Sequence, residues 1–355
     1  MKKKVLVAMS GGVDSSTAAY LLQKEGYEVA GITMCLGVKE ITKKRPTCCG
    51  KEAIDDAKKV CSKFKIPHYV LDVSKYLEKE VINSFVSQYR RGRTPNPCVD
   101  CNRHLKFGIL LKKALSLGFD FLATGHYARI EKRNKRCVLK KGKDKTKDQS
   151  YFLYAIPKDA LKFLLFPLGK YTKDEVRSIA KDARLPVADK PQSQDLCFIP
   201  DKNYHKFLED RADKKIERGS ILDLNGNILG KHKGALFYTV GQRGGLGVSY
   251  KRPLYVLTID SGKNRLIVGE KRDLKSKGLI ADEANILAKS LPKKTSAKIR
   301  YNQKEAKCEI VKDKENIKVI FDKPQEAITP GQSVVLYDGD IVLGGGVIKQ
   351  AIKEE

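Results

Sequence analysis

The stretch Ser10-Gly11-Gly12-Val13-Asp14-Ser15-Ser16 constrains this chain more than any other. The apolar run Val5–Met9 precedes it and reads as a buried strand. Thr17-Ala18-Ala19-Tyr20-Leu21-Leu22 follows, so Asp14–Lys24 reads as a helix. A strand, a glycine-serine turn and a helix N-terminus make an anion site, because free backbone N–H groups and the helix dipole converge there. Paired glycines let the backbone approach a phosphate closely. Ser10, Ser15 and Ser16 offer hydroxyl donors. Asp14 would repel a phosphate directly; it fits as a helix N-terminal carboxylate or as a contact to Mg²⁺ through water.

The loop lacks the Gly-x-x-x-x-Gly-Lys-Ser/Thr pattern of Walker sites. It resembles instead the PP-loop of ATP pyrophosphatases, Ser-Gly-Gly-x-Asp-Ser. That resemblance implies cleavage of ATP between its α- and β-phosphates and adenylation of a substrate.

Up to about residue 128 the pattern alternates strand and helix. Strands are expected at Val5–Met9, Glu28–Met34, His68–Val73 and Phe119–Thr124. Helices are expected at Asp14–Lys24, Glu52–Phe64, Leu77–Arg90 and Lys106–Leu117. Such alternation means an α/β domain on a parallel sheet, with ligands outside the strand C-termini. Residues 129–147 form a basic loop or hairpin. From about 201 a small, mostly β domain begins, and from about 276 short β runs suggest a C-terminal β-barrel. The expected domains are therefore 1–200, 201–275 and 276–355.

Seventy Lys and Arg face 42 Asp and Glu, a formal charge of +28. This excess points to a polyanion, nucleic acid first, against the plainer reading of a solvated lysine-rich surface. No apolar run approaches the ~20 residues of a membrane helix. Met1-Lys2-Lys3-Lys4 leads straight into the first strand, so a cytoplasmic location is expected.

Nine cysteines make an odd number, which argues against a disulfide framework in such a chain. Cys98 and Cys101 form a C-x-x-C in Gly92–Asn102, a proline- and asparagine-rich stretch that reads as a loop. Cys197 sits in Ser193-Gln194-Asp195-Leu196-Cys197-Phe198. Structural zinc wants a fourth ligand. Thiol chemistry or sulfur transfer needs a thiolate and a partner cysteine. A [4Fe–4S] cluster on Cys98, Cys101 and Cys197 would leave one iron open. The plain alternative is three buried small hydrophobes, the reading given to Cys61 and Cys308 on apolar faces. Cys48-Cys49 are adjacent and would chelate one metal poorly.

Further segments extend the likeness along most of the chain. They are Ala8-Met9 before the loop, Gly92-Arg93-Thr94-Pro95-Asn96-Pro97, Cys101-Asn102, Ala123-Thr124-Gly125-His126-Tyr127, Lys147-Asp148-Gln149-Ser150-Tyr151-Phe152-Leu153, Cys197-Phe198-Ile199, Gly241-Gln242-Arg243 and Pro330-Gly331-Gln332-Ser333. With them the sequence resembles the tRNA-specific 2-thiouridylases. The resemblance implies an adenine nucleotide alpha hydrolase-like domain and ATP-dependent 2-thiolation of the wobble uridine. The uracil 2-oxygen would be adenylated, and sulfur would arrive as a persulfide or as iron-bound sulfide. ATP would be held by Ala8, Met9, Ser10, Gly11, Gly12, Val13, Asp14, Ser15, Met34 and Gly125. Cys101 would be the nucleophile and Cys197 the persulfide carrier, with a disulfide as product. Asn96, Pro97 and Cys98 would face the target base. His126, Lys147, Asp148, Gln149, Arg300, Tyr301 and Gln332 would contact tRNA. Implied partners are the tRNA anticodon arm and a sulfur donor; implied cofactors are ATP, Mg²⁺ and, in the cluster variant, [4Fe–4S]. Several members carry Asp where this chain has Cys98, so a role belonging to that Asp does not carry over. The alternatives are a PP-loop ligase adenylating a small molecule, which needs neither the basic surface nor the cysteine set, and a non-catalytic RNA-binding protein with an idle loop.

Overall fold

Val5, Leu6 and Val7 have no exposed surface, as a strand covered on both faces requires. They form β1 (Lys4–Ala8), the middle strand of a five-stranded sheet. This computed structural model describes residues 2–37, 51–133, 136–191, 196–199, 203–212, 215–313 and 316–353. Cys48-Cys49, Ser193-Gln194-Asp195 and the expected domain end near Pro200 lie outside them.

The helices α1 (Val13–Lys24) and α2 (Lys51–Lys63) follow the first two strands. Val13, Ala19, Leu22, Val60 and Cys61 pack with Val5 and Val7 in one core. The other strands in chain order are β2 (Glu28–Cys35), β3 (His68–Asp72), β4 (Phe121–Ala123), the hairpin pair β5 (Ala128–Arg133) and β6 (Arg136–Lys141), and β7 (Leu164–Leu165). The sheet order is β3-β2-β1-β4-β7, every neighbour parallel. The expected parallel α/β domain is present. The two-residue β7 was not anticipated, because Leu164-Leu165 is too short to show a period.

The largest departure concerns the cysteine stretch. Helix begins at Pro97, nine residues before the expected Lys106, so Cys98 and Cys101 lie on a helix and not in a loop. Proline suits a first helical position, where its missing N–H has no partner to lose. The turn Pro97–Asp100 runs into a π-helix, Cys101–Leu110, and then an α-helical end, Leu111–Ser116. The expected helix Leu77–Arg90 is likewise broken into Ser74–Leu77, a π-helical Glu78–Ile82 and Asn83–Arg90.

The chain divides into two compact units. The first comprises residues 1–81, 98–203 and 340–342, and the second 82–97, 204–339 and 343–355. In the second, β8 (Gly219–Leu222), β9 (Ile228–His232), β10 (Tyr255–Asp260) and β11 (Arg265–Gly269) form a sheet of order β10-β11-β8-β9. It also holds β12 (Lys275–Ile286), β13 (Lys294–Lys298), β14 (Ala306–Asp313), β15 (Asn316–Glu326), β16 (Ser333–Asp338) and most of β17 (Ile341–Ile352). These run β12-β15-β14-β13-β16-β17, and pairing of β12 with β17 closes the ring into the expected barrel. Among the described residues no helix is long and apolar enough to cross a membrane.

Candidate active site

A cavity of about 200 Å³ opens at the C-terminal ends of β1, β2 and β4 in the first unit. Seven residues expected to hold ATP line it: Ala8, Met9, Ser10, Asp14, Ser15, Met34 and Gly125. Gly11, Gly12 and Val13 complete the turn. Gly12 caps α1 without a side-chain hydrogen bond, leaving the first helical N–H groups for a ligand. Gly11 has φ +69°, and a Cβ there would stand 2.4 Å from the Ala53 carbonyl oxygen. The serines do less than expected as ligand donors. Ser15 Oγ and Ser16 Oγ both donate to the Gly12 carbonyl (3.2 and 2.9 Å), and Ser10 N donates to Ser15 Oγ (3.1 Å). Ser15 and Ser16 therefore shape the turn, and the backbone N–H groups are left as the donors it offers to an anion.

Asp14 lines the cavity but is also held from behind. Lys173 Nζ reaches its Oδ1 at 2.6 Å, and Tyr127 OH donates to the same oxygen at 2.7 Å. Burial, and then the Asp14 carboxylate, hold the Tyr127 phenol far above its usual range. The Lys173 side chain is only 9% exposed. Asp14→Ala should therefore cost about 3–5 kcal/mol of stability, because it strands a buried ammonium. Asp14→Asn is the variant that probes nucleotide chemistry. Thermal unfolding checks this: an Asp14→Ala protein that melts like the wild type would disprove the strut.

Gly125 abuts the start of α1. A Cβ at this position would lie 2.8 Å from Ser15 N and 2.9 Å from the Asp14 carbonyl carbon. Backbone cannot give way as a side chain can. Gly125→Ala should weaken ATP binding about five- to 150-fold, from ~1–3 kcal/mol of overpacking. Titration with a fluorescent ATP analogue measures it, and unaltered affinity would contradict the close approach.

His126 and Gln149, expected to meet tRNA, line the same cavity. Burial first and Lys106 second hold the His126 imidazole well below its ordinary range, so it is neutral near pH 7. Its Nδ1 lies 2.6 Å from Thr124 Oγ1, and its ring packs against Phe107 and Phe166. Gln149 Oε1 accepts from Tyr127 N (3.0 Å). Asp148 is buried and accepts from Gly142 N, Ser150 N and Ser150 Oγ at 2.8–3.1 Å, which organises the turn before Ser150. Lys147, in the same turn, donates its backbone N–H to the Asp144 carbonyl.

Three lining residues had been given no role from the sequence: Ile32, Thr124 and Lys106. Lys106 is the important one. It belongs to the π-helix that starts at Cys101, five residues away, so at most ~7.5 Å of axial rise separates the two Cα atoms. Cys98 and Cys101, at i and i+3, share one helix face. Asn102, next in the chain, is buried and anchors this helix by donating Nδ2 to the Phe152 carbonyl (2.9 Å).

The Cys98 side chain is exposed. Desolvation there pushes its thiol up to about 11; Lys106 opposes, while Cys197 and Asp100 add to the rise. Cys197 is thus within electrostatic reach of Cys98. All seven described cysteines are free thiols. Among the described residues no three His, Cys, Asp or Glu side chains converge as donors to one metal ion. As arranged, Cys98, Cys101 and Cys197 do not converge as the three donors an iron–sulfur cluster would take.

The remaining expected contacts lie in the second unit. Arg300 Nη2 is committed to Val240 O, Ala327 O and Thr329 Oγ1 at 2.6–3.1 Å. Tyr301 carries Lys298 over its ring. Gln332 Nε2 donates to Thr94 O (2.9 Å) and, more weakly, to Pro95 O (3.4 Å), directly before Asn96 and Pro97.

Three families match this chain in order. They are the tRNA methyl transferase HUP domain over residues 3–201, the tRNA methyl transferase PRC-barrel domain over 205–270 and the Aminomethyltransferase beta-barrel domain over 276–348. The tRNA-specific 2-thiouridylase MnmA 1 of Syntrophus aciditrophicus is 55% identical over 352 residues, 99% of this chain and 94% of that one. The tRNA-specific 2-thiouridylase MnmA of Acetivibrio thermocellus is 49% identical, covering 98% and 99%. That of Carboxydothermus hydrogenoformans is 47% identical, covering 99% of each.

Proposed function

Because this chain belongs to the tRNA-specific 2-thiouridylase family, we propose that it uses ATP to replace the 2-oxygen of a tRNA wobble uridine with sulfur. The observation that carries the chemistry is the π-helix Cys101–Leu110, which begins at a thiol and extends Lys106 into the nucleotide cavity. Adenylation and sulfur transfer must share one substrate carbon, and this helix supports both.

The uracil 2-oxygen is a poor leaving group. It attacks the α-phosphorus of ATP, and diphosphate departs. The α1 N-terminus and the backbone of Gly11 and Gly12 hold the phosphates, and Lys106 meets the charge that develops during transfer. Mg²⁺ accompanying ATP needs phosphate oxygens and water, with Asp14 the one carboxylate lining the cavity among the described residues. A sulfur donor leaves a persulfide on Cys197. Its terminal sulfur attacks uracil C2, and AMP leaves with the former 2-oxygen. The Cys101 thiolate then attacks Cys197 Sγ. The thiouridine sulfur departs with the electron pair, and a Cys101–Cys197 disulfide remains for an external dithiol to reduce. The division 1–200, 201–275 and 276–355, with catalysis in the first part and RNA binding in the others, and action in the cytoplasm, belong to the same proposal.

The test is nucleoside mass spectrometry of tRNA after reaction with ATP, Mg²⁺ and a persulfide source. 2-Thiouridine should appear with one AMP and one diphosphate each. AMP formation that ignores tRNA would overturn the reading.

The basic hairpin supplies a second measurable expectation. Lys140 is buried and bonded to Glu131 (2.8 Å), and Lys143 is paired with Glu175 (2.7 Å). Lys132, Arg133 and Lys145 are exposed and are the better phosphate partners. Changing these three to Gln should reduce the slope of log K against log salt by about 0.7–0.9 for each phosphate no longer neutralised, while Lys140→Gln alone should leave it. Filter binding across a salt series decides, and an unchanged slope for the triple variant would place the RNA elsewhere.

A further inference from the structure

We propose that Gln332 is a positioning residue for the cysteine helix, acting from the barrel through a clamp on Thr94 and Pro95. Three parts of the second unit grip this short segment. Thr94 N donates to Pro330 O (2.8 Å), and Gln332 Nε2 donates back to Thr94 O and Pro95 O. Thr94 Oγ1 donates to Thr239 Oγ1 (3.1 Å). Arg93 Nη2 donates to Ile348 O (3.1 Å), the carbonyl that also accepts from Gly331 N (2.8 Å). Gly331 makes the approach sterically possible: a Cβ there would stand 2.9 Å from Thr94 N, C and O, and its φ is +92°.

The gripped segment is stiff. Pro95 and Pro97 have fixed φ, and Thr94 and Asn96, each preceding a proline, are confined to extended backbone. Pro97 is the first residue of the helix that carries Cys98 and Cys101. From Pro95 to Cys98 is three residues, at most ~11 Å of chain. A shift at Thr94 therefore has little slack to be absorbed in before it reaches the thiols. Gln332 Nε2 donates to two carbonyls of this segment, which is a structural duty rather than an RNA contact.

The inference rests on the thiolation reading for its kinetic arm only; a second arm is independent of it. In the full-length protein, Gln332→Ala and Thr239→Val should speed alkylation of Cys98 by iodoacetamide about fivefold, as expected for loss of one hydrogen bond. Gly331→Ala, which pushes Thr94 outward, should do more. In thiolation, kcat should fall about tenfold or more from misplacement, while KM for tRNA stays unchanged. A raised KM with unaltered kcat and unaltered alkylation would make Gln332 an RNA contact and overturn the proposal. If wild-type protein forms no thiouridine, the alkylation arm still decides the clamp. If Gly331→Ala fails to fold, the two milder variants carry the test.

Discussion

Cys101→Ser and Cys197→Ser are each expected to lose thiouridine formation by on the order of 10³-fold or more, the scale of removing a nucleophile, while Cys98→Ser keeps most of it. The asymmetry follows from surroundings. Desolvation, with Cys197 and Asp100, raises the Cys98 thiol above its ordinary range, which keeps it protonated near pH 7 and a poor nucleophile. The two essential variants should fail differently. Cys197→Ser cannot carry sulfur and should leave only adenylated or untouched tRNA. Cys101→Ser should stall with tRNA joined to Cys197 through a disulfide, which dithiothreitol then releases as 2-thiouridine. Denaturing gels with and without reductant separate the two. A Cys98→Ser protein as inactive as the others would mean that all three sulfurs act together, as ligands of a cluster do.

Lys106→Met is expected to lower the rate of AMP formation about 10²–10³-fold, the cost of removing one preorganised charge from a site of phosphoryl transfer. ATP affinity should suffer less, since the backbone of the glycine turn remains. The charge also leaves two titratable reporters. Lys106 lowers the Cys98 thiol and the His126 imidazole, so its removal must raise both. Cys98 alkylation should then demand still higher pH than in the wild type. The His126 titration, read by NMR, should move up toward its ordinary range without reaching it, because burial is the larger cause and persists. Single-turnover AMP release checks the first effect. A normal rate with both titrations shifted would leave Lys106 a neighbour and not a participant.

The gathering of the glycine-turn residues around one cavity was legible because its signals are local. Val5–Met9, two glycines and a helix start lie within one stretch, and the backbone alone makes the anion site. Met34 and Gly125 could be added because strand C-termini in a parallel sheet must converge. The cysteine half was misread at Pro97, where two prolines and two asparagines suggest a loop and the second proline in fact opens a helix. The π-helix has no signature in composition, since one added residue per turn is a tertiary outcome. Lys106 looks like any solvated lysine of an amphipathic helix; only its place five residues after Cys101 could have drawn notice. Asp14 and Lys173 are 159 residues apart in the chain, and no spacing rule connects them.

The irregular helix after Cys101 bears on how such an enzyme can change over evolutionary time. Deleting one residue between Cys101 and Lys106 would bring that turn back toward ordinary α-helical hydrogen bonding, and the helix would gain regularity. The same deletion would turn the thiol-bearing end by about 100° relative to Lys106, the angle of one residue in an α-helix. Selection for robustness and selection for turnover thus pull in opposite directions at a single backbone position. Stabilising this protein by design should begin anywhere but there.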